Sequence, residues 1–553
     1  MFSRLQNQKI LVVEDNYCGF KEAFESCNFY RLQEILRTKP VLSEMKNTCE
    51  MNWAEEKAKN EPLTKSDEKS NLILNELNKL SCGATPSNHS LYLSMIKRYE
   101  KALCFAESDE CKFKAYDNIS KMYKNLDFFD HCLAACDSAM KHSASADEES
   151  KQKIKARIAE CEAETGDPTV KVSSKTFVSS FIKMCVNNSV VATKSLSPGD
   201  IVAATKPFVL ISDEEFRRQT CNHCGNRLSA VKIPCDNCVH ATFCSENCKK
   251  AESHTMECFL FCDNYLLEDP NIHIALKFTI KALEITKGKY FVDDDEFSCF
   301  DWEKTASSHS YSSYGIPKDR KNNDGNILKS ILNMKKANVD FEEMIGCTLK
   351  FNQILEKLKS LQIFNDFIAT LKNGEKSFSE MFFRSYRLIR YNGFDADSKY
   401  NIDGFYGTLT HSCKPNLMVF QDSSGINSYV VLEEIQRGDQ LTIAFRNVVY
   451  HSLPRQERRF LLEDYLGIKC FCVACVQSLP TDANAEKGKK IWSEFTRNIA
   501  DIEDTSNFKD LIKDFIKPSY DGFARRALFK VLFYLHLNHM DVFANSTSAF
   551  ETK

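Results

Sequence analysis

The sequence predicts an α+β protein in which one β-rich domain is split by a cysteine-rich block and a helical insertion, and is flanked by helical regions at both ends. Three observations predict it. Residues 20–165 carry apolar–polar periodicity at helical spacing with almost no Gly or Pro. β-branched runs around a Pro-Gly-Asp turn occupy 190–211, where they suggest a hairpin, and strand-like runs resume from about 405 to 445. Between these lie regularly spaced cysteines (221–258) and a second helical stretch (262–390) around the polar loop 307–325. A helical tail follows from about residue 485.

At 553 residues the chain can hold several domains, each able to bury a core. Its 73 Lys and Arg against 76 Asp and Glu leave it near neutral, with no global basic field for nucleic acid or an anionic membrane. The N-terminus has only the short apolar run Ile10 to Val13 and no small-residue cleavage pattern, so it is a poor signal peptide. No stretch approaches the ~20 apolar residues of a spanning helix. A soluble protein of the cytoplasm, the nucleus or both is the expectation. In such a reducing compartment the 24 cysteines point to metal ligands wherever their spacing is regular.

The helical arm comes first. Its opening "KILVVEDN" resembles the first strand of a receiver domain, but the helical pattern "FKEAFESCNFYRLQEIL" follows where a second strand with an acceptor Asp is needed. The polar stretch 60–71 reads as a loop. Beyond it, residues 115–140 place Tyr116, Tyr123, Leu126, Phe129, Leu133 and Ala139 on facing sides of two antiparallel helices, after "LYLSMIKRYEKAL" (91–103). This resembles a tetratricopeptide-type repeat, with Asp127 in place of the usual turn glycine. An unrelated helical bundle is the other reading.

In the cysteine block, Cys221, Cys224, Cys235, Cys238, Cys244, Cys248, His254 and Cys258 are separated by two, ten, two, five, three, five and three residues. Eight such ligands in 38 residues make two tetrahedral zinc sites, each filled by protein and therefore structural. A segment this short cannot bury enough apolar surface to fold alone, so zinc contributes on the order of 10 kcal/mol per site. The block resembles a MYND finger. That resemblance assigns Cys221, Cys224, Cys244 and Cys248 to one zinc and Cys235, Cys238, His254 and Cys258 to the other, and implies a proline-rich peptide partner. Lys249 and Lys250 are interspersed with Glu246, Glu252 and Glu257, which argues against DNA binding.

Downstream, Cys470, Cys472 and Cys475 leave a third tetrahedral site one ligand short, and Cys413 in "YGTLTHSCKPN" is the candidate for the fourth. The order of a Pro-Gly-acidic turn, finger, helical insert, "HSC-x-PN" segment, "LTI" plus aromatic, and C-x-C-x-x-C is similar to that of the SMYD family of SET and MYND proteins, over roughly 170–476. The arm makes the chain resemble the tetratricopeptide-bearing branch. The layout implied is a helical arm (1–168), a first SET part (169–220), the finger (221–258), a helical SET insert (259–390), core SET (391–450), a post-SET zinc segment (451–476) and a helical tail (477–553).

The family methylates lysine on proteins with S-adenosylmethionine, and its "NHSC" cysteine completes the post-SET zinc, which supports Cys413. The work of such a site is to position a neutral amine, whose deprotonation at neutral pH costs about 4 to 5 kcal/mol. Scaffold positions of the pattern are kept, including Pro198, Gly199, Pro415 and Asn416. Four pocket positions depart from it. The Gly-x-Gly start aligns with Asn187, Asn188 and Ser189, where side chains would crowd the cofactor. Thr410 stands for the motif's Asn beside the retained His411, Phe445 stands for the catalytic tyrosine, and Ile468 stands for the aromatic that stacks on adenine. Cofactor-binding positions are thus Asn188, Thr410, His411 and Ile468, and the catalytic position is Phe445. Two readings follow: a methyltransferase with an unusual pocket, drawing on another hydroxyl such as Tyr406 or Tyr450, or a non-catalytic adaptor that binds partners through arm and finger.

Overall fold

The computed structural model describes residues 64–81, 89–164, 177–185, 189–212, 217–228, 232–250, 252–262, 266, 269–286, 328, 331, 332, 334, 336, 339, 341–396, 399–421, 425–450, 453–478 and 532. The receiver-like N-terminus, the loop 307–325 and nearly all of the tail 477–553 lie outside them.

The arm consists of α1 (Asp67–Ser81), α2 (His89–Phe105), α3 (Asp109–Asn125), α4 (Phe129–Lys141) and α5 (Glu148–Glu164), each packed on the next. Tyr116, Tyr123, Leu126 and Ala139 are buried in its core with Leu77, Tyr99 and Ile119, and Phe129 and Leu133 pack against that core. The polar stretch 60–71 is not loop throughout, because α1 begins at Asp67. The Ser66 hydroxyl accepts from the Lys69 amide at 3.2 Å, and Asp67 and Glu68 lie in the first turn. Capping chemistry is polar by nature and so looks like loop in a linear reading. Asp127 takes φ 58° between α3 and α4, the left-handed conformation that glycine adopts most cheaply. Arg157 of α5 reaches into α3, donating to Asp117 Oδ1 at 2.8 Å and the Ser120 hydroxyl at 2.5 Å.

The β-rich domain opens with β1 (Phe177–Val178), β2 (Ile182–Met184), β3 (Val190–Ala192), β4 (Ile201–Thr205) and β5 (Val209–Ser212). Residues 190–211 do not form the hairpin suggested by their Pro-Gly-Asp turn: β3 pairs with β2, whereas β4 joins another sheet. The turn is real, with Gly199 at φ 87°, but its partner is remote, since the Gly199 amide donates to Val431 O at 2.8 Å. Local alternation marks a strand without naming its partner.

The cysteine block carries β6 (Ile233–Pro234), β7 (Thr242–Phe243), α6 (Glu246–Lys249) and α7 (Glu252–Cys262). The insert follows as α8 (Pro270–Thr286), α9 (Phe341–Lys359), α10 (Gln362–Ala369) and α11 (Gly374–Asn392). Its core includes Phe351 stacked on Phe382 at 4.1 Å, with Phe378 and Phe383 around them. Strands resume earlier than the expected 405, with β8 (Phe394–Ala396) and β9 (Lys399–Ile402), followed by β10 (Thr410–His411), β11 (Leu417–Gln421), β12 (Asn427–Val431) and β13 (Thr442–Ile443).

One antiparallel sheet has the order β1-β4-β12-β11 and another β5-β9-β8, so each joins strands from both sides of the finger and insert. This is the split β domain expected from the sequence. A short parallel pair, β10 with β13, stands apart, and α12 (Arg455–Leu466) and α13 (Val473–Val476) follow β13. Strands, cysteine block and helical insertion share one continuous apolar core. Among the described residues no helix is long and apolar enough to cross a membrane.

Candidate functional site

Local turns gather the cysteines. Gly225 at φ 76° lets the chain reverse after Cys224, where a side chain would collide with Leu210, and Ser245 caps α6 through the Cys248 amide at 3.2 Å. The β6–β7 pair, with the Cys235 amide on Ala241 O at 3.0 Å, holds the Cys235–Cys238 turn.

Three groups of ligand atoms result, each within 4.8 Å of one another: Cys221, Cys224, Cys244 and Cys248; Cys235, Cys238, His254 and Cys258; and Cys413, Cys470, Cys472 and Cys475. These coincide with the sets that the resemblance assigns. Sulfurs of a tetrahedral zinc site lie about 3.8 Å apart, given a Zn–S bond of about 2.3 Å. Here Cys224–Cys244, Cys235–Cys258 and Cys413–Cys475 are each at 3.6 Å and Cys413–Cys470 is at 3.9 Å. The donors therefore fit zinc in number, kind and spacing.

The second group is buried throughout, while Cys244 exposes the first. His254 turns Nε2 to Cys235 at 3.2 Å and Cys238 at 3.9 Å. Its Nδ1 lies 3.2 Å from Asn222 and 3.8 Å from Glu257, outer partners that fix the ring. Burial alone would raise the Glu257 carboxyl, but Lys277, His254 and His273 hold it well below the ordinary carboxylate range.

At the third group, the fully buried Arg458 of α12 donates to the carbonyls of Tyr450 at 3.3 Å, Leu453 at 2.6 Å and Ala474 at 3.4 Å, fastening the Cys475 helix to the strand side.

Cys413 leads directly into the second feature. The pairing Thr410↔Thr442 and His411↔Ile443 lays the "THSC" segment beside "LTIAF". Asn416 staples the crossing, accepting from the Thr442 amide at 2.8 Å and donating to Gln440 O at 2.9 Å. The buried His411 is committed on both nitrogens: Nδ1 accepts from the Phe445 amide at 3.0 Å, and Nε2 lies 3.4 Å from Cys413 Sγ. Burial lowers its pKa to about 4, which keeps it neutral and able to accept on one nitrogen while donating from the other.

Phe445 is buried against Tyr406 at 5.4 Å, His411 at 5.6 Å and Tyr391 at 6.1 Å between ring centroids. The next residue, Arg446, is held at φ 50° and φ-strained, with its guanidinium on Arg390 O at 2.9 Å and the Tyr400 hydroxyl at 3.2 Å.

The other expected positions separate. Thr410 is exposed, and its hydroxyl accepts from Gln440 Nε2 at 2.6 Å. Ile468 packs partly buried against the main core. Asn188 lies outside the described residues. The Tyr406 hydroxyl points to Ala444 O at 3.4 Å while its ring stacks on Phe394 at 3.8 Å. Tyr450 is half-buried, and its amide donates to Cys413 O at 2.9 Å. Tyr391, which sequence reasoning missed, is a tyrosine beside Phe445 whose hydroxyl makes no hydrogen bond among the described residues. No motif marks it, because it arrives in the last turn of α11 through helix packing.

The family model that describes the SET domain matches residues 187–446. These residues form a SET domain. The match begins before β3 and ends at Arg446, so it takes in the cysteine block, the helical insertion and the β10–β13 crossing. Among curated proteins none matches the chain. A SET domain is a lysine-methyltransferase type of fold, which makes the Phe445 crossing the place to look for chemistry.

Proposed function

We propose that this is an SMYD-type protein of the tetratricopeptide-bearing branch, with the architecture of an S-adenosylmethionine-dependent protein-lysine methyltransferase and a weakened active site. The SET match, the three ligand groups at zinc spacing and the helical arm support that architecture. Three zinc ions are structural in this reading, and the substrate is a lysine-bearing protein.

S-adenosylmethionine would supply an already electrophilic methyl group, so the chain's task is to aim a neutral amine at it. The carrying observation is Phe445. Its amide is fixed by His411 and its ring by Tyr391 and Tyr406, so the residue is held in place without a hydroxyl to orient an amine. That loss could cost about a hundredfold or more in rate. In the same crossing Thr410 spends its hydroxyl on Gln440. These two observations favour a second reading, a non-catalytic adaptor that binds proline-rich or other protein partners through finger and arm in the cytoplasm or nucleus.

Calorimetric titration of zinc-loaded protein with S-adenosylmethionine separates the readings: micromolar binding supports the enzyme, and a flat trace supports the adaptor. With cofactor bound, Phe445→Tyr should raise methylation of a lysine peptide library. No gain would show that another group already orients the amine.

A further inference from the structure

The arm does not stop at its own core. It covers the Cys235–Cys238 turn, which supplies two ligands of the buried zinc group. Thr64 forms an antiparallel bridge with Cys238, and the Tyr116 hydroxyl donates to Lys232 O at 2.8 Å. Glu100 forms an ion pair with Lys232 at 2.5 Å, both side chains under 10 % exposed. Cys104 and Phe105 pack on Val239, and Lys112 lies 3.9 Å from Asp236, between the two ligand cysteines.

Within this cover Ser70 Oγ and His240 Nε2 are buried without a hydrogen-bond partner among the described residues, and so is one charged group. The Lys65 ammonium nitrogen is out of solvent contact and has no hydrogen-bond partner among the described residues. The Thr64–Cys238 bridge sets Lys65 beside the ligand turn; burial lowers its pKa, while Cys104, Cys235 and Cys238 act to keep it charged and Lys112 opposes them. Cys104 offers no charge, since burial pushes its thiol up to about 11. Lys112 is a like charge. The thiolates remain. Three thiolates and a neutral imidazole around Zn2+ carry one net negative charge, and this group is buried at all four ligands. A buried charge of that kind needs a partner.

We propose that the arm completes this zinc site: Lys65 is the outer cation that neutralises the Cys235–Cys238–His254–Cys258 centre, so the ion is held tightly only while the arm is docked. The inference rests on the zinc-finger reading above. In the Cys221–Cys224–Cys244–Cys248 group Cys244 is exposed and Cys224 and Cys248 are half-buried, so water reaches it and screens its charge. By linkage, the occupied site also holds residues 64–66 against the finger.

The test uses the full chain, loaded with zinc and challenged with excess chelator, while released ion is followed by a colorimetric indicator. Lys65→Met should speed release of about one of three equivalents on the order of tenfold, the usual effect of removing an outer partner. The other two should keep their rates. Lys65→Arg should behave like the parent, as should Lys101→Met on the exposed face of α2. Unchanged release from Lys65→Met, or equal acceleration of all three equivalents, would overturn the proposal while leaving the zinc reading intact. A parent chain that carries no zinc would sink both.

Discussion

Asp403 is fully buried in the β domain, where it accepts from the Thr205 hydroxyl at 2.5 Å, Asn427 Nδ2 at 2.9 Å and the Phe405 amide at 2.8 Å. Burial outweighs these bonds and raises its pKa. The folded chain therefore holds a proton that the unfolded chain releases, and this contribution to stability is present below the unfolded value and declines as pH rises through the folded one. Denaturant midpoints measured upward from about pH 4 should show a falling component that Asp403→Asn lacks; identical pH slopes would contradict it. Arg458→Met should cost about 2–3 kcal/mol in urea unfolding, because it strips the donor from three carbonyls in a buried place. At this scale the sequence marked the "THSC" and "LTIAF" segments, which the β10–β13 pairing lays side by side. It was silent on Tyr391 and Arg458, whose neighbours are distant in the chain.

Among the elements, the α3–α4 turn stores a small cost in Asp127 at φ 58°. Asp127→Gly should raise stability by about 0.5–1 kcal/mol, the left-handed penalty less the extra entropy of glycine, read as a higher melting temperature. The third ligand group joins the β10–β11 connection to a helix pair more than 50 residues on. Cys413→Ser should lower zinc content from three equivalents to two by elemental analysis and make residues 470–478 sensitive to protease. Full zinc content in that variant would remove Cys413 from the ligand set. Periodicity located the arm helices and the insert, whereas the start of α1 and the supposed 190–211 hairpin went astray. Both errors have one origin: a linear pattern shows that a segment is polar or β-forming, but not which distant partner takes its hydrogen bonds.

For the whole molecule, arm and finger meet through a buried ion pair as well as through Lys65. Glu100→Ala would leave the Lys232 ammonium buried and unpaired, at about 3 kcal/mol. It should loosen the arm, seen as faster proteolysis between the arm and the finger. Glu100→Leu combined with Lys232→Met should recover most of that loss. Recovery by the pair separates an electrostatic fault from simple loss of packing.

The sequence by itself determined the parts: helical arm, split β domain, the regularly spaced Cys/His block and the three-cysteine cluster. These are local properties, set by side-chain period, ligand type and spacing. Only the tertiary structure decided which cysteines lie together in space, that His411 is tied to both Phe445 and Cys413, and that the arm lies on the Cys235–Cys238 turn. Such contacts join residues tens to hundreds of positions apart, and they exist only once the apolar cores have brought those positions together.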